Sequence, residues 1–175
     1  MLSQIFRPDI LNGSVALVTG GGTGIGAATA RELARMGAEV VIASRKPDRI
    51  AKAAEGLSAE LGQTVHGIAA DIRDRDAVNS LVETTIERCG RIDILVNNGG
   101  GQFFSPAQFI SANGWDAVVA TNLTGTWNLT QAVANQWMLG NGGGRIINIT
   151  MNTSRGFPGM AHSVAARAGI EGLSK

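Results

Sequence analysis

The run Val15-Ala16-Leu17-Val18-Thr19 passes without a break into Gly20, Gly21, Gly22, Gly24 and Gly26, and a helical pattern begins at Ile25. A short apolar strand, a glycine turn and a helix in that order make a phosphate-binding unit. The strand gives a rigid start, and the glycines let backbone approach a ligand with no Cβ in between. The helix then offers its unpaired N–H groups and positive dipole end to an anion. Gly20, Gly22, Thr23, Gly24, Ile25 and Gly26 are therefore the first candidates for nucleotide contact. The spacing is Thr-Gly-x-x-x-Gly-x-Gly rather than Gly-x-Gly-x-x-Gly, so the turn is longer. No Gly-Lys-Ser/Thr follows, as a P-loop would require.

The 175 residues fit one domain with a real core, read as a lead-in over 1–13 and a dinucleotide-binding domain over 14–175. With 44% hydrophobic and 17% charged residues the composition is globular rather than disordered. A net charge of +1 and the lack of a Lys/Arg stripe argue against nucleic acid as the main partner. Cys89 is the only cysteine, so no disulfide framework forms and a reducing compartment, by default the cytoplasm, is expected. No apolar run is long enough to span a membrane, and the N-terminus lacks the basic-then-apolar shape of a signal peptide. No metal ligands are expected.

Strands are expected at 15–19, 39–43, 64–70, 92–97 and 145–150. Between them, the first helix carries Ile25, Ala28, Leu33 and Met36 on one face and ends at Gly37. The second opens at Lys46-Pro47-Asp48, carries Ile50, Ala54, Leu57 and Leu61, and closes at Gly62. In the third, Val78, Leu81, Val82, Thr85, Ile86 and Cys89 recur at helical spacing before Gly90. Helical stretches at 115–123, 125–139 and 161–175 complete the chain. This alternation predicts an α/β fold: a Rossmann-like, doubly wound parallel sheet of five strands with helices on both faces. Ligands then bind at the carboxyl ends of the strands.

The end of the second strand reads Ala43-Ser44-Arg45-Lys46, with no acid to hydrogen-bond a ribose 2′-hydroxyl. A hydroxyl and two cations suit a 2′-phosphate instead, so Ser44, Arg45 and Lys46 point to NADP. A solvated Arg-Lys pair is the bland alternative. Cations at a helix start oppose the dipole, which favours a bound anion as the reason for them.

The Thr19-Gly20-x-x-x-Gly24-x-Gly26 pattern resembles the short-chain dehydrogenase/reductase family, as does Asn97-Asn98-Gly99-Gly100, which is similar to the family's Asn-Asn-Ala-Gly. The resemblance implies cofactor contacts from Asp71 and Ile72 to adenine, and from Asn98, Gly99 and Gly100. It also implies two further strands and a C-terminal lobe beyond Lys175, so the chain is expected to be C-terminally truncated. A homo-oligomer, dimer or tetramer, is implied by resemblance alone.

The family's usual catalytic pair is a Tyr and a Lys four residues apart, yet this chain contains no tyrosine. Counting along 163–170 puts Ser163 at the Tyr position and Arg167 at the Lys position, on one helix face. A serine is a far weaker acid than a phenol, and arginine stays charged, so ordinary alcohol–ketone chemistry is disfavoured. Ser163, with His162-Ser163, Ala166-Arg167-Ala168-Gly169 and Gly99-Gly100-Gly101-Gln102-Phe103, resembles the enoyl-CoA and 2,4-dienoyl-CoA reductase branch. That branch implies an acyl-CoA substrate and hydride transfer from NADPH to a conjugated C=C. A carbonyl or 3-hydroxyacyl reductase, or an inactive nucleotide-binding remnant, are the alternatives.

By the same resemblance Asn122 would bend its helix and hold a water in a proton path; an amide serving the backbone alone is the other reading. The family serine after strand five could be Thr150 or a later hydroxyl. Substrate contacts are implied for Arg73, Phe103, Ser111 and Asn113, beside plainer readings as a solvated Arg, a core Phe and helix caps.

Overall fold

The computed structural model describes residues 5–175. Of the expected lead-in, residues 1–4 lie outside the described residues; 5–13 form turns, and Leu11 N–H donates to the carbonyl of Met36 (2.9 Å). The first strand, β1 (Val15–Thr19), is buried along its whole length because it lies in the middle of the sheet with both faces covered. Its neighbours are β2 (Glu39–Ser44) and β4 (Ile94–Asn97), with β3 (Val65–Ala69) and β5 (Arg145–Asn148) outside them. All pairs are parallel, in the order β3-β2-β1-β4-β5.

Helices α1 (Gly24–Arg35) and α2 (Pro47–Leu61) close one core, where Leu33, Ile50, Ala54 and Leu57 pack on Ala16, Val18, Val40 and Ile42. On the other face α3 (Arg75–Cys89) and α5 (Gly125–Gln136) pack Val78, Leu81, Val82 and Leu129 against Leu17, Val41 and Leu95. Burying one such Leu or Val contributes about 1.5–3 kcal/mol, so two full cores flank a single sheet. Helix ends follow local chemistry. Gly62 and Gly90 take left-handed conformations at the C-caps, and the Asp74 carboxylate accepts from the N–H groups of Asp76 (2.9 Å) and Ala77 (3.3 Å).

The buried face of α1 differs from expectation. Ile25 is 64% exposed and Ala28 is exposed, while Gly26, Ala30, Leu33 and Ala34 face the sheet. The cause lies at Gly26, where a Cβ would overlap the carbonyl oxygen of Gly20. That backbone-to-backbone contact sets the rotation of the helix, and Ile25, about 100° away around the axis, turns outward. Strands β3, β4 and β5 are shorter than expected; β5 leaves the ladder at Asn148, opposite Asn97, where β4 turns into its own glycine run.

Helix α4 (Ala112–Val119) starts earlier than the expected 115, because the Ser111 hydroxyl accepts from Gly114 N–H (3.1 Å). It runs through a wider π turn at Ala120–Thr124 into α5. After β5, helix α6 (Ala161–Leu173) ends the described chain. No helix among the described residues is long and apolar enough to cross a membrane.

Candidate active site

Two strand ends are stitched together at the centre of the sheet. The Thr19 hydroxyl accepts from the N–H groups of Asn98 (3.1 Å) and Gly99 (2.9 Å) and lies 3.3 Å from the carbonyl of Val96. In return, the Asn98 amide donates to the carbonyls of Thr19 (2.9 Å) and Gly20 (3.3 Å). Gly20 needs its left-handed φ of 63° here, and a Cβ on it would meet the Asn98 amide at 2.8 Å. The glycine turn is thus held open as a concave shelf. Thr23 at the start of α1 makes no side-chain cap, and no acid sits in the first turn. The helix's positive end remains available to an anion.

A cleft of about 270 Å³ runs from this shelf across the ends of β2 and β3. Gly20, Gly22 and Thr23 line it on one side, and Ser44, Arg45 and Lys46 on another. Asp71, Ile72, Gly99 and Gly100 complete it. Gly26 and Asn98 support the shelf without lining the cleft, and Gly24 and Ile25 lie outside the cleft lining. Ser44 Oγ is buried without a partner, and Arg45, Lys46 and Arg49 form no ion pair among the described residues. Three cations and an unpartnered hydroxyl at one cleft wall suit a dianionic group.

Arg49 is absent from the sequence reading, although it lies three residues after Lys46 on the same turn of α2. Thr19, the first residue of the glycine motif, also lines the cleft, as does Thr121.

Asp71 does not meet the cleft as a free carboxylate. Arg73 grips it, with Nε 2.9 Å from Oδ1 and Nη2 2.5 Å from Oδ2. The hydrogen bond to Arg73 holds the Asp71 carboxyl below its ordinary value and raises that of Arg73. Arg73 is therefore committed at the end of β3, the sheet edge opposite β5. The structure does not bring it to Ser163.

The other half of the site forms after β5. Ser163 is fully buried in the first turn of α6, and its Oγ donates to Oε1 of Gln102 at 3.2 Å. Arg167, one turn on, is 8% exposed and donates from Nη1 to the carbonyl of Ile149 (2.8 Å). Burial lowers its pKa, and no carboxylate pairs with it among the described residues. A buried guanidinium without an acid is costly unless it serves a ligand. Gly100 makes room for it: a Cβ there would overlap Nη2 of Arg167 and stand 2.8 Å from Oδ1 of Asn122.

Asn122 is buried within the π turn, and its amide is engaged twice with Gly101, accepting from the N–H (2.9 Å) and donating to the carbonyl (3.0 Å). It serves backbone, but the backbone of the loop after β4 rather than of its own helix.

Met151, not Thr150, is the residue that meets Ser163. Its Sδ lies 3.7 Å from Ser163 Oγ, whereas Thr150 is exposed and its hydroxyl makes only 3.5 Å contacts with the carbonyls of Met151 and Arg167. The alternation of the chain leaving β5 turns neighbouring side chains to opposite sides. Phe103 joins this half-site through an edge contact with the His162 ring, centroids 4.4 Å apart. Ser111 is spent as the cap of α4, and Asn113 is exposed in its first turn; neither is brought against Ser163 by any hydrogen bond. Gln102 is the partner the sequence reading missed, although it sits beside Phe103 in the same glycine-led run.

Known proteins share this fold. A model of the family described as short chain dehydrogenase matches residues 14–175. The chain is 35% identical over 176 residues to a peroxisomal 2,4-dienoyl-CoA reductase of Danio rerio, covering 99% of this chain and 58% of that protein. It is 37% identical to gluconate 5-dehydrogenase of Gluconobacter oxydans, covering 97% and 66% of the two chains. Among solved structures, a citronellol catabolism dehydrogenase of Pseudomonas aeruginosa superposes with a TM-score of 0.90 at 43% identity, over 97% of this chain and 69% of that one. An NAD+-bound xylitol dehydrogenase gives 0.88 at 33% identity, over 93% and 63%. The chain thus spans little more than half the length of the first of these relatives. A match over nearly all of residues 14–175, on a sheet and glycine turn of this geometry, establishes that the chain belongs to the short-chain dehydrogenase family.

Proposed function

We propose that this chain carries the cofactor site and part of the active site of an NADPH-dependent oxidoreductase that reduces the C=C bond of an enoyl-CoA or dienoyl-CoA thioester. The pair Ser163 and Arg167 carries the reading: a buried hydroxyl and a buried, acid-free guanidinium stand where the family's phenol and ammonium are implied, in a chain with no tyrosine. A bound NADPH would supply hydride to the β-carbon of an enoyl thioester, or to the δ-carbon of a dienoyl thioester. Negative charge then collects on the thioester oxygen, and a hydroxyl donor aimed at that oxygen lowers the barrier without needing a strong acid. Ser163 can take that role by exchanging its bond to Gln102 for one to substrate, while the α-carbon takes its proton from water. Arg167 holds positive potential beside Gly100, a residue that lines the nucleotide cleft.

Ser44, Arg45, Lys46 and Arg49 support NADP over NAD, since a hydroxyl and three cations along one cleft suit a 2′-phosphate. Relatives named as dienoyl-CoA reductases support the acyl-CoA substrate. A carbonyl or hydroxyacyl reductase stands as the second reading, because gluconate 5-dehydrogenase and a (2S)-[(R)-hydroxy(phenyl)methyl]succinyl-CoA dehydrogenase subunit of Thauera aromatica match at 37% and 38% identity. By family resemblance the working form is a homo-oligomer.

The deciding assay follows NADPH oxidation with a trans-2-enoyl-CoA, a 2,4-dienoyl-CoA, and a ketone such as a 3-ketoacyl-CoA. Turnover of the C=C substrates that falls about 10²–10³-fold in Ser163→Ala, with NADPH affinity kept, is the expected outcome. Turnover of the ketone alone overturns the proposal. Nucleotide binding with no turnover of any of them marks a binding remnant.

A further inference from the structure

We propose that Glu39, His66 and Cys89 form a binding site for a transition-metal dication, Zn²⁺ by preference, at the end of the sheet remote from the nucleotide cleft. The ligand-type atoms of these three side chains lie within 4.8 Å of one another, the one such group of three among the described residues. They come from three elements: the first residue of β2, the second of β3 and the last of α3. Parallel strands begin at one end of a sheet, and α3 returns to that end, so the three meet there.

The faces agree as well. Glu39 alternates with Val41 and Ala43, which pack under α3, and His66 stands beside Val41 in the β2–β3 register.

The donor set selects the metal. One thiolate, one imidazole and one carboxylate suit Zn²⁺, whereas Mg²⁺ and Ca²⁺ take oxygen ligands. A dication with one thiolate and one carboxylate is also charge-neutral, which a half-buried site favours. The C-terminal end of the 15-residue α3 adds its negative dipole end. His66 Nε2 and Glu39 Oε1 are already 2.9 Å apart, and their side chains are 23% and 42% exposed, leaving an entry path and a water as fourth ligand. Ligands on one tetrahedral zinc sit about 3.5 Å apart, so the widest pair closes by about 1 Å, within reach of a side-chain adjustment. Without metal, burial and the Glu39 carboxylate push the Cys89 thiol up to about 12. Metal binding therefore releases the thiol proton.

The test uses untagged protein titrated with Co²⁺ and then Zn²⁺. A thiolate-to-cobalt charge-transfer band is expected, displaced by Zn²⁺, together with a Zn²⁺-dependent rise in melting temperature. Cys89→Ser should abolish the band, and His66→Gln or Glu39→Gln, at partly exposed positions, should weaken Zn²⁺ binding at least about 10- to 100-fold. NADPH affinity should be unchanged in all three, which shows that each variant is folded. No band at stoichiometric Co²⁺, or the same spectrum and melting shift in Cys89→Ser, overturns the site. Neither result touches the reductase reading, whose residues lie at the other end of the strands.

Discussion

Thr19, the last residue of β1, accepts the backbone N–H of Gly99, the second residue beyond β4, at 2.9 Å through its hydroxyl. One side chain thereby joins the two strand ends between which the cofactor cleft opens. The Asn98 N–H bonds to the same oxygen, and the Asn98 amide returns to the Thr19 and Gly20 carbonyls, so the joint closes on itself.

Thr19→Val keeps the shape but leaves the N–H of Gly99 without its acceptor, while the N–H of Asn98 keeps the carbonyl of Val96 (3.1 Å). Each unpaired buried group costs about 1–3 kcal/mol. Urea unfolding should show a loss of that size, and NADPH should bind more weakly because the glycine shelf loosens. Unchanged stability would mean that water replaces the hydroxyl.

Gly100 and Gly101 are neighbours with opposite tolerances. A methyl at 100 runs into Arg167 and Asn122, whereas at 101 it meets nothing within 4 Å. Gly100→Ala should destabilise by about 1–3 kcal/mol and impair nucleotide binding, while Gly101→Ala leaves both near the parent values. Thermal melts and fluorescence titration of the two variants side by side give the comparison.

Arg45→Gln removes one of the three cations on the wall of β2 and α2 without adding bulk. Losing a charge-assisted contact to a phosphate costs about 1.5–3 kcal/mol, so NADPH affinity should fall about 10- to 100-fold. NADH affinity should hold. Equal losses for the two nucleotides would remove the 2′-phosphate from the argument.

Asp71 links stability to acid. Its carboxyl is held below its ordinary value of 3.8 by Arg73, so its contribution is present above that pH and is lost as pH falls through the depressed folded-state value. In Asp71→Asn the stability–pH curve should be flatter below about pH 4, and Arg73→Gln should flatten it in the same way. Chemical unfolding across acid pH reads the slope directly.

Much of this architecture is legible from the chain because its causes are local. Val15–Thr19 and the glycines after it predict the central strand and its turn, Asp74 declares the cap of α3, and Gly62 and Gly90 declare two helix ends. The absence of tyrosine by itself removes the family's phenol, and the four-residue spacing puts Ser163 and Arg167 on one face of α6. Such features rest on steric limits and hydrogen bonds within a few residues.

The tertiary structure decided what depends on contacts between distant segments. Ile25 faces outward because Gly26 must seat on the Gly20 carbonyl, a constraint that periodicity does not carry. Met151 rather than Thr150 reaches Ser163 because the side chains alternate as the chain leaves β5. Arg73 is paired with Asp71 at the end of β3, a partnership between strand-end residues that the sequence alone does not announce. Glu39, His66 and Cys89 are spread over 50 residues of sequence, and they converge only because parallel pairing and a returning helix bring one end of each element together. Pattern along a chain encodes the elements; which side chains then share a few ångströms is set by register, helix rotation and packing between them.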